Sequence, residues 1–268
     1  MRLGIIGLGN MGGAILNGIM NAHYIPASQI VYYDTNSLKM KQTGEKYPSA
    51  LPADNYAKIA AHADMILLAV KPIYLGGVIN GLKPYLNGKS IISIAAGWTV
   101  SMLADALKDT GALYLRVMPN TPAMIGQGMT AICEETTFGT DEFEFAKGIF
   151  DSVGKTTVLP ERLFDGVIAI SGSSPAYVYM FIEAMADAGV REGIPRSDAY
   201  VLAAQAVLGS AMMVLQTDLH PGALKDAVCS PAGTTIEAVA ALEKNGFRSA
   251  VMEAMSVCAE KSRQMSKK

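Results

Sequence analysis

A chain of 268 residues is enough for one large domain or two moderate ones with a substantial core; half of it is apolar, 17% is charged, and the formal net charge is −2. That balance supplies no basic field for nucleic acid, so an acidic ligand has to be held by local dipoles. Three cysteines, Cys133, Cys229 and Cys258, are odd in number and have no metal-ligand spacing, which argues against a zinc centre and points to a reduced, cytoplasmic protein.

The N-terminus enters a strand pattern at Leu3–Ile6 without the cleavage region of a signal peptide. The loop Gly7-Leu8-Gly9-Asn10-Met11-Gly12 follows, and a helical period runs over Met11–Ala22. Glycines so spaced allow a tight turn, approach of backbone to a pyrophosphate, and close helix–strand contact. A second strand, Ile30–Tyr33, ends at Asp34, 22 residues after Gly12. A carboxylate there can accept both ribose hydroxyls of NADH and would repel a 2′-phosphate, which tilts the choice between NADPH and NADH mildly toward NADH. Lys39 and Lys41 lie nearby, where a helix would expose them as solvated charges. After a helical pattern at Asn55–Ala63, strands are predicted at Met65–Val70, Ser90–Ile94, Leu113–Met118, Met129–Ile132 and Lys155–Val158, with a helix at Ser101–Lys108. Three of them end in loops at one edge of a parallel sheet, where ligands sit. These are Ala69-Val70-Lys71-Pro72, Ala95-Ala96-Gly97 and Arg116-Val117-Met118-Pro119-Asn120-Thr121-Pro122. Beside the glycine loop they point to a nicotinamide pocket. The fold class is an α/β, Rossmann-like doubly wound sheet over residues 1–159 and an all-α domain over 160–268, divided at Leu159-Pro160.

Beyond Arg162 strand signals stop. Helical patterns cover Phe164–Ile170, Pro175–Gly189, Arg196–Gln216, Ala223–Val228, Thr235–Lys244 and Phe247–Met265. On Pro175–Gly189 and Tyr200–Leu215 apolar residues occupy too many helix faces for one buried stripe, which predicts a dimer covering them; burial against the first domain alone is the alternative. Tyr200–Leu215 is sixteen residues long and broken by Gln205 and Ser210, short for a membrane span. Two helix openings carry hydroxyls and small residues: Ser171-Gly172-Ser173-Ser174-Pro175 and Ser230-Pro231-Ala232-Gly233-Thr234-Thr235. The first reads as an N-cap serine with proline in the first turn. In the second, Thr234 and Glu237 form a capping box, which leaves Ala232, Gly233 and Thr235 unexplained. An anion at this helix start would meet converging backbone amides.

The acid–base inventory is thin. His23 and His62 read as surface residues, and His220 sits in an inter-helix turn. No lysine occurs between Lys155 and Lys225, which removes the dehydrogenases that use a lysine on the first long helix of the second domain. Such a site suits reduction of a protonated cyclic imine, whose nitrogen already carries its proton, so that catalysis is mainly positioning.

Together, Gly7–Gly12, Ala69–Pro72, Ala95–Gly97, Arg116–Pro122, Ser171–Tyr177 and Leu224–Thr235 resemble the pyrroline-5-carboxylate reductase family over the whole chain, in order. The resemblance implies reduction of 1-pyrroline-5-carboxylate to L-proline by NAD(P)H, the last step of proline biosynthesis. It also implies a helical domain that pairs two chains, with dimers assembling into rings up to a decamer. Carried over, Thr235 faces the imine nitrogen, and backbone around Gly233 and Thr234 holds the carboxylate, with Val228, Ser230 and Ser173 on the substrate side. The cofactor set is Gly7, Leu8, Gly9, Asn10, Met11, Gly12, Asp34, Asn55, Ala69, Val70, Lys71, Pro72, Ala95, Ala96, Gly97 and Asn120. Three positions depart from the family pattern: Ser174 and Ala232, each where glycine is usual, and Asp34, against members that prefer NADPH. They keep open a related cyclic imino acid as substrate, or a non-catalytic NAD(P)H-binding regulator.

Overall fold

A computed structural model describes residues 1–266. The chain divides into two compact units: Met1–Ser173 together with the chain from Cys258 onward, and Ser174–Val257. In the first, the elements in chain order are β1 (Leu3–Ile6), α1 (Asn10–Asn21), β2 (Ile30–Tyr33), α2 (Ser37–Lys46), β3 (Leu51–Pro52), α3 (Tyr56–His62), β4 (Met65–Leu68) and α4 (Pro72–Leu82). Next come β5 (Ser90–Ser93), α5 (Val100–Ala106), β6 (Leu113–Met118), β7 (Gly128–Cys133), α6 (Thr140–Asp151), β8 (Gly154–Leu159) and α7 (Phe164–Val167).

The strands form one sheet in the order β3-β2-β1-β4-β5-β6-β7-β8. Strand order reverses beside β1, between β2 and β4, and a doubly wound sheet opens its ligand crevice at such a switch point. Pairing is parallel except between β6 and β7. The short link between those two holds only the 3₁₀ turn Thr121–Ile125, and a parallel return needs a longer crossover. Helices cover both faces, so the central strands are buried and carry apolar runs, Leu3–Ile6 in β1 and Met65–Leu68 in β4. Ile15, Ile19 and Phe150 fill one side and Ile59, Leu75 and Ile79 the other. A smaller cluster of Met118, Ala131, Cys133, Phe164 and Val167 lies near the ends of β6 and β7.

Helices α2, α4 and α6 and the two-residue β3 had no counterpart among the predicted elements. The first is mostly polar with no buried residue; the second buries the stripe Leu75, Val78, Ile79 and Leu82, but Pro72 at its start and Gly76, Gly77 and Gly81 within it read as a loop in the sequence.

The second unit contains α8 (Ser174–Arg191), α9 (Arg196–Thr217), α10 (Pro221–Ala227) and α11 (Thr234–Lys244); α12 (Phe247–Met265) begins there and ends in the first unit. Gly189 of α8 lets the pair close on Ala199 of α9: a Cβ at Gly189 would lie 3.4 Å from the Ala199 methyl. Burial is sparse, with Ala186 alone on α8 and Ala199 and Ala203 alone on α9. Met180, Val201, Leu202 and Leu215 are each more than half exposed. At 22 residues α9 matches the predicted helix Arg196–Gln216 and runs beyond the sixteen-residue apolar stretch within it, and it is long and apolar enough to cross a membrane by length and composition.

The opening at Ser171–Pro175 runs through a π turn into α8, with Pro175 in its first turn. Residues Ile168–Gly172 form a π turn in which the Ser173 N–H donates to the Ile168 carbonyl at 2.7 Å. Ser174 is already the first residue of α8. A π turn widens the helix locally and recurs at functional sites.

Candidate active site

The glycine loop is shaped by its neighbours. Gly7 donates its N–H to the Tyr33 carbonyl at 2.9 Å and holds φ +99°, where a side chain would press on the Ala69 carbonyl. A Cβ on Gly12 would collide with the Gly7 carbonyl oxygen. Gly9 is the N-cap of α1 and brings no side-chain cap, so first-turn amides stay available to an anion. A Cβ built on Gly9 would meet only the Lys39 Nζ, at 3.9 Å, and otherwise open space. Leu8 is buried, and Met11 packs on the core; both offer backbone to a ligand, whereas the Asn10 side chain is exposed.

Beside the loop lies a cavity of about 520 Å³, lined among others by Tyr33, Asp34, Lys39, Tyr56, Lys71 and Tyr74. Ala69 and Val70 also face it, while Pro72 begins α4. The rings of Tyr33 and Tyr56 meet edge-on at 5.5 Å, and burial together with Tyr33 pushes the Tyr56 phenol up, keeping it neutral. Asp34 does not stand free. One oxygen accepts the Leu8 N–H at 2.6 Å and the other the Asn36 N–H at 2.8 Å, so the carboxylate ties the glycine loop to the end of β2. Lys39 reaches the cavity rather than bulk solvent, in contrast to the sequence expectation; Lys41 instead pairs with Glu45 at 3.8 Å.

Two asparagines expected at the cofactor each make hydrogen bonds within the chain. Asn55 caps α3, its Oδ1 accepting the Lys58 N–H at 2.8 Å and its amide donating to Asp54 at 2.9 Å. Asn120 is 8% exposed; its Oδ1 accepts the Met129 N–H at 2.8 Å and its Nδ2 donates to the Ser171 carbonyl at 3.0 Å. Both amides brace loops. Ala95, Ala96 and Gly97 run from the end of β5 into a turn, with Gly97 at φ +78° and a chain of small side chains. That turn is tied at Val100, whose N–H donates to Glu161 Oε1 at 2.6 Å; the same oxygen pairs with Arg116 at 2.6 Å. Nothing in sequence spacing singled out Glu161, because its partners are 45 and 61 residues away.

In the helical unit, Ser230–Gly233 forms a turn closed by the Gly233 N–H on the Ser230 carbonyl at 3.0 Å. Pro231 stands second and Ala232 third at φ +56°, the pattern of a type II turn, which normally asks for glycine third. A Cβ on Gly233 would collide with Ser230 Oγ. Gly233 is the N-cap of α11, without a side-chain cap. The predicted capping box is therefore absent: Thr234 sits inside the first turn, one residue too late to cap it. Thr235 is half-buried beside it, and Val228 closes α10, 64% exposed. The Nδ1 of His220 accepts the Gly222 N–H at 3.0 Å and so caps α10. Ser173 belongs to the sheet unit.

Comparison with known proteins adds three kinds of match. Residues 161–265 fit the family model for pyrroline-5-carboxylate reductase dimerisation, and residues 2–97 that for NADP oxidoreductase coenzyme F420-dependent. The pyrroline-5-carboxylate reductase of Escherichia coli (strain K12) is 46% identical over 267 residues, covering 99% of this chain and 98% of that protein. Among solved structures, the Plasmodium falciparum pyrroline carboxylate reductase with NADP bound superposes with a TM-score of 0.88 at 36% identity, covering 99% of this chain and 98% of that one. The Coxiella burnetii pyrroline-5-carboxylate reductase gives 0.92 at 30% identity, covering 100% and 99%.

Proposed function

The chain belongs to the pyrroline-5-carboxylate reductase family, which reduces 1-pyrroline-5-carboxylate to L-proline with NAD(P)H as the last step of proline biosynthesis, and from that premise we propose how its residues divide the task. The observation that carries the reading is the uncapped start of α11 next to Thr235. Its first amides and the partial positive charge of the helix suit the substrate carboxylate. Ser230 shapes the turn beneath Gly233, and Thr234 contributes backbone. The Thr235 hydroxyl accepts the hydrogen bond of the protonated ring nitrogen and so orients the imine carbon. Val228 flanks the ring, and the Ser173 hydroxyl serves the substrate side. Bound reduced nicotinamide supplies the hydride. With the proton already on nitrogen, the protein's share is orientation and exclusion of competing geometries.

The Gly7–Gly12 loop takes the pyrophosphate, Tyr33, Tyr56 and Tyr74 surround the adenosine half, and Ala95–Gly97 lines the nicotinamide. Asn55 and Asn120 serve by holding their loops. Each Asp34 oxygen already accepts one backbone amide, which weakens the ground for favouring NADH although a lone pair remains on each. Lys39 at the cavity wall is suited to an extra phosphate, so NADPH is the preferred cofactor in this reading. The departures at Ser174 and Ala232 do not call for another imino acid: Ser174 lies within a regular helix, and Ala232 keeps the positive φ the turn requires. The exposed apolar side chains of α8 and α9 are covered by a second copy of the chain rather than by lipid, in line with the dimerisation match; dimers gather into larger rings. Three free thiols accord with a cytoplasmic setting.

The test is the rate of 1-pyrroline-5-carboxylate-dependent oxidation of NADPH and NADH by wild type and Thr235→Ala. Loss of the orienting hydroxyl lowers turnover by roughly 100-fold with cofactor affinity unchanged. A parallel loss of cofactor affinity would show that Thr235 has been misassigned, and no turnover by wild type would end the reading.

A further inference from the structure

We propose that Glu161, through its buried pairing with Arg116, is a positioning residue for the nicotinamide, acting by fixing the turn Ala95–Val100. The inference rests on the reading that Ala95–Gly97 lines the nicotinamide. The Arg116 side chain is 4% exposed and that of Glu161 26%. The guanidinium stacks on the Phe164 ring at 4.7 Å, while its Nε has no partner. A buried pair of this kind is no better for stability than apolar residues of the same volume, and an unmet buried donor costs free energy. Its distinctive property is geometric. One oxygen, Oε1, holds both Arg116 on β6 and the N–H of Val100, the first residue of α5. The neighbouring amide at Met102 is served by Thr99, so Val100 depends on Glu161 for its acceptor. Glu161 is itself anchored from behind, its N–H donating to Glu135 at 2.7 Å just beyond β7.

The turn has further ties. Trp98 Nε1 donates to the Pro72 carbonyl at 3.2 Å, and a Cβ on Gly97 would lie 3.6 Å from Cβ of Met265. Val100 and Ala96 also pack on the cluster of Met118 and Phe164, while the Glu161 carboxylate ties the start of α5 by hydrogen bonds to β6 and to the segment after β7. A displacement of about 1 Å in a reacting group is enough to cost two orders of magnitude in rate, so a residue that never touches the cofactor can still govern hydride transfer through this turn.

Trp98 is the sole tryptophan of the chain and reports on the turn directly. The experiment compares the full-length wild type with Glu161→Ala and Glu161→Gln. Turnover, KM for each substrate, melting temperature, and energy transfer from Trp98 to bound NADPH are measured. The expected result for Glu161→Ala is a fall in kcat of roughly 10- to 100-fold with altered transfer and an NADPH affinity close to wild type. Glu161→Gln keeps an acceptor for Val100 and restores most of both signals. If Glu161→Ala yields no folded protein, Glu161→Asp, one methylene short of Val100, takes its place with the same expectation. Wild-type turnover and transfer in all variants overturn the proposal. So does a fall in melting temperature and turnover in which the conservative variant fares no better and transfer stays as in wild type. Absence of transfer to NADPH bound by the wild type refutes the nicotinamide placement itself, a distinct result that takes the proposal with it.

Discussion

Ala232→Gly is the most revealing single substitution in the substrate turn. Ala232 holds φ +56° and its methyl is exposed, so removing it forfeits no packing. A left-handed conformation costs an L-residue roughly 1–2 kcal/mol. Glycine escapes that cost but loses about 0.5–1 kcal/mol more conformational freedom on folding. The difference favours glycine by about 0.5–1 kcal/mol, which for a chain of this size raises Tm by about 1–4 °C. The effect on catalysis follows from the same term: a less strained Ser230–Gly233 turn presents its amides at least as often, so KM for the imino acid stays level or falls by up to about fivefold, and kcat is retained. Thermal melting and steady-state kinetics at fixed NADPH measure both. Ala232→Val supplies the opposite arm, because a β-branched residue at positive φ is a true outlier; it lowers Tm and raises KM. Destabilisation by Ala232→Gly, or indifference to Ala232→Val, would refute the strain assigned to this turn.

Three further outcomes follow from the sheet unit. Gly9→Ala meets open space beyond Lys39 and leaves the melting temperature of the cofactor-free protein near wild type. It nonetheless weakens NADPH binding by about tenfold or more, because the new methyl occupies the approach of the pyrophosphate; binding at wild-type affinity would remove the loop from the cofactor site. Lys39→Ala weakens NADPH by roughly tenfold, the scale of one charged hydrogen bond, and leaves NADH unchanged; equal losses for both would show that Lys39 does not meet the extra phosphate. Burial, with a hydrogen bond to Glu135, pushes the Cys133 thiol from near 9 up to about 12, so at pH 8 it is a neutral thiol and resists a disulfide reagent in the native protein. Since the folded value lies above the unfolded one, its stabilising contribution is complete below pH 9 and is lost as pH rises toward 12. Peptide mapping after labelling checks the first statement, and alkaline melting curves the second.

Much of this was legible in the residues. Uninterrupted apolar runs such as Leu3–Ile6 and Met65–Leu68 declare buried parallel strands, and the glycine loop declares its own turn because no side chain fits at Gly7 or Gly12. The positive φ at position 232 was signalled only by the resemblance, in which glycine is usual there. Other features depended on distances that spacing does not encode. Asp34 looks the same in sequence whether it meets a ribose or the Leu8 amide. The capping box of Thr234 and Glu237 fits the pattern and fails by one residue in the fold, since Gly233 takes the cap position. Glu161 acquires its meaning only when β6, α5 and the end of β7 converge on it.

The sparse burial of α8 and α9 carries a thermodynamic consequence. A helical unit that withholds most of its apolar surface from its own chain couples folding to association, and its stability then obeys mass action. Dilution acts on it as a mild denaturant, and its melting point is a property of the solution as much as of the sequence.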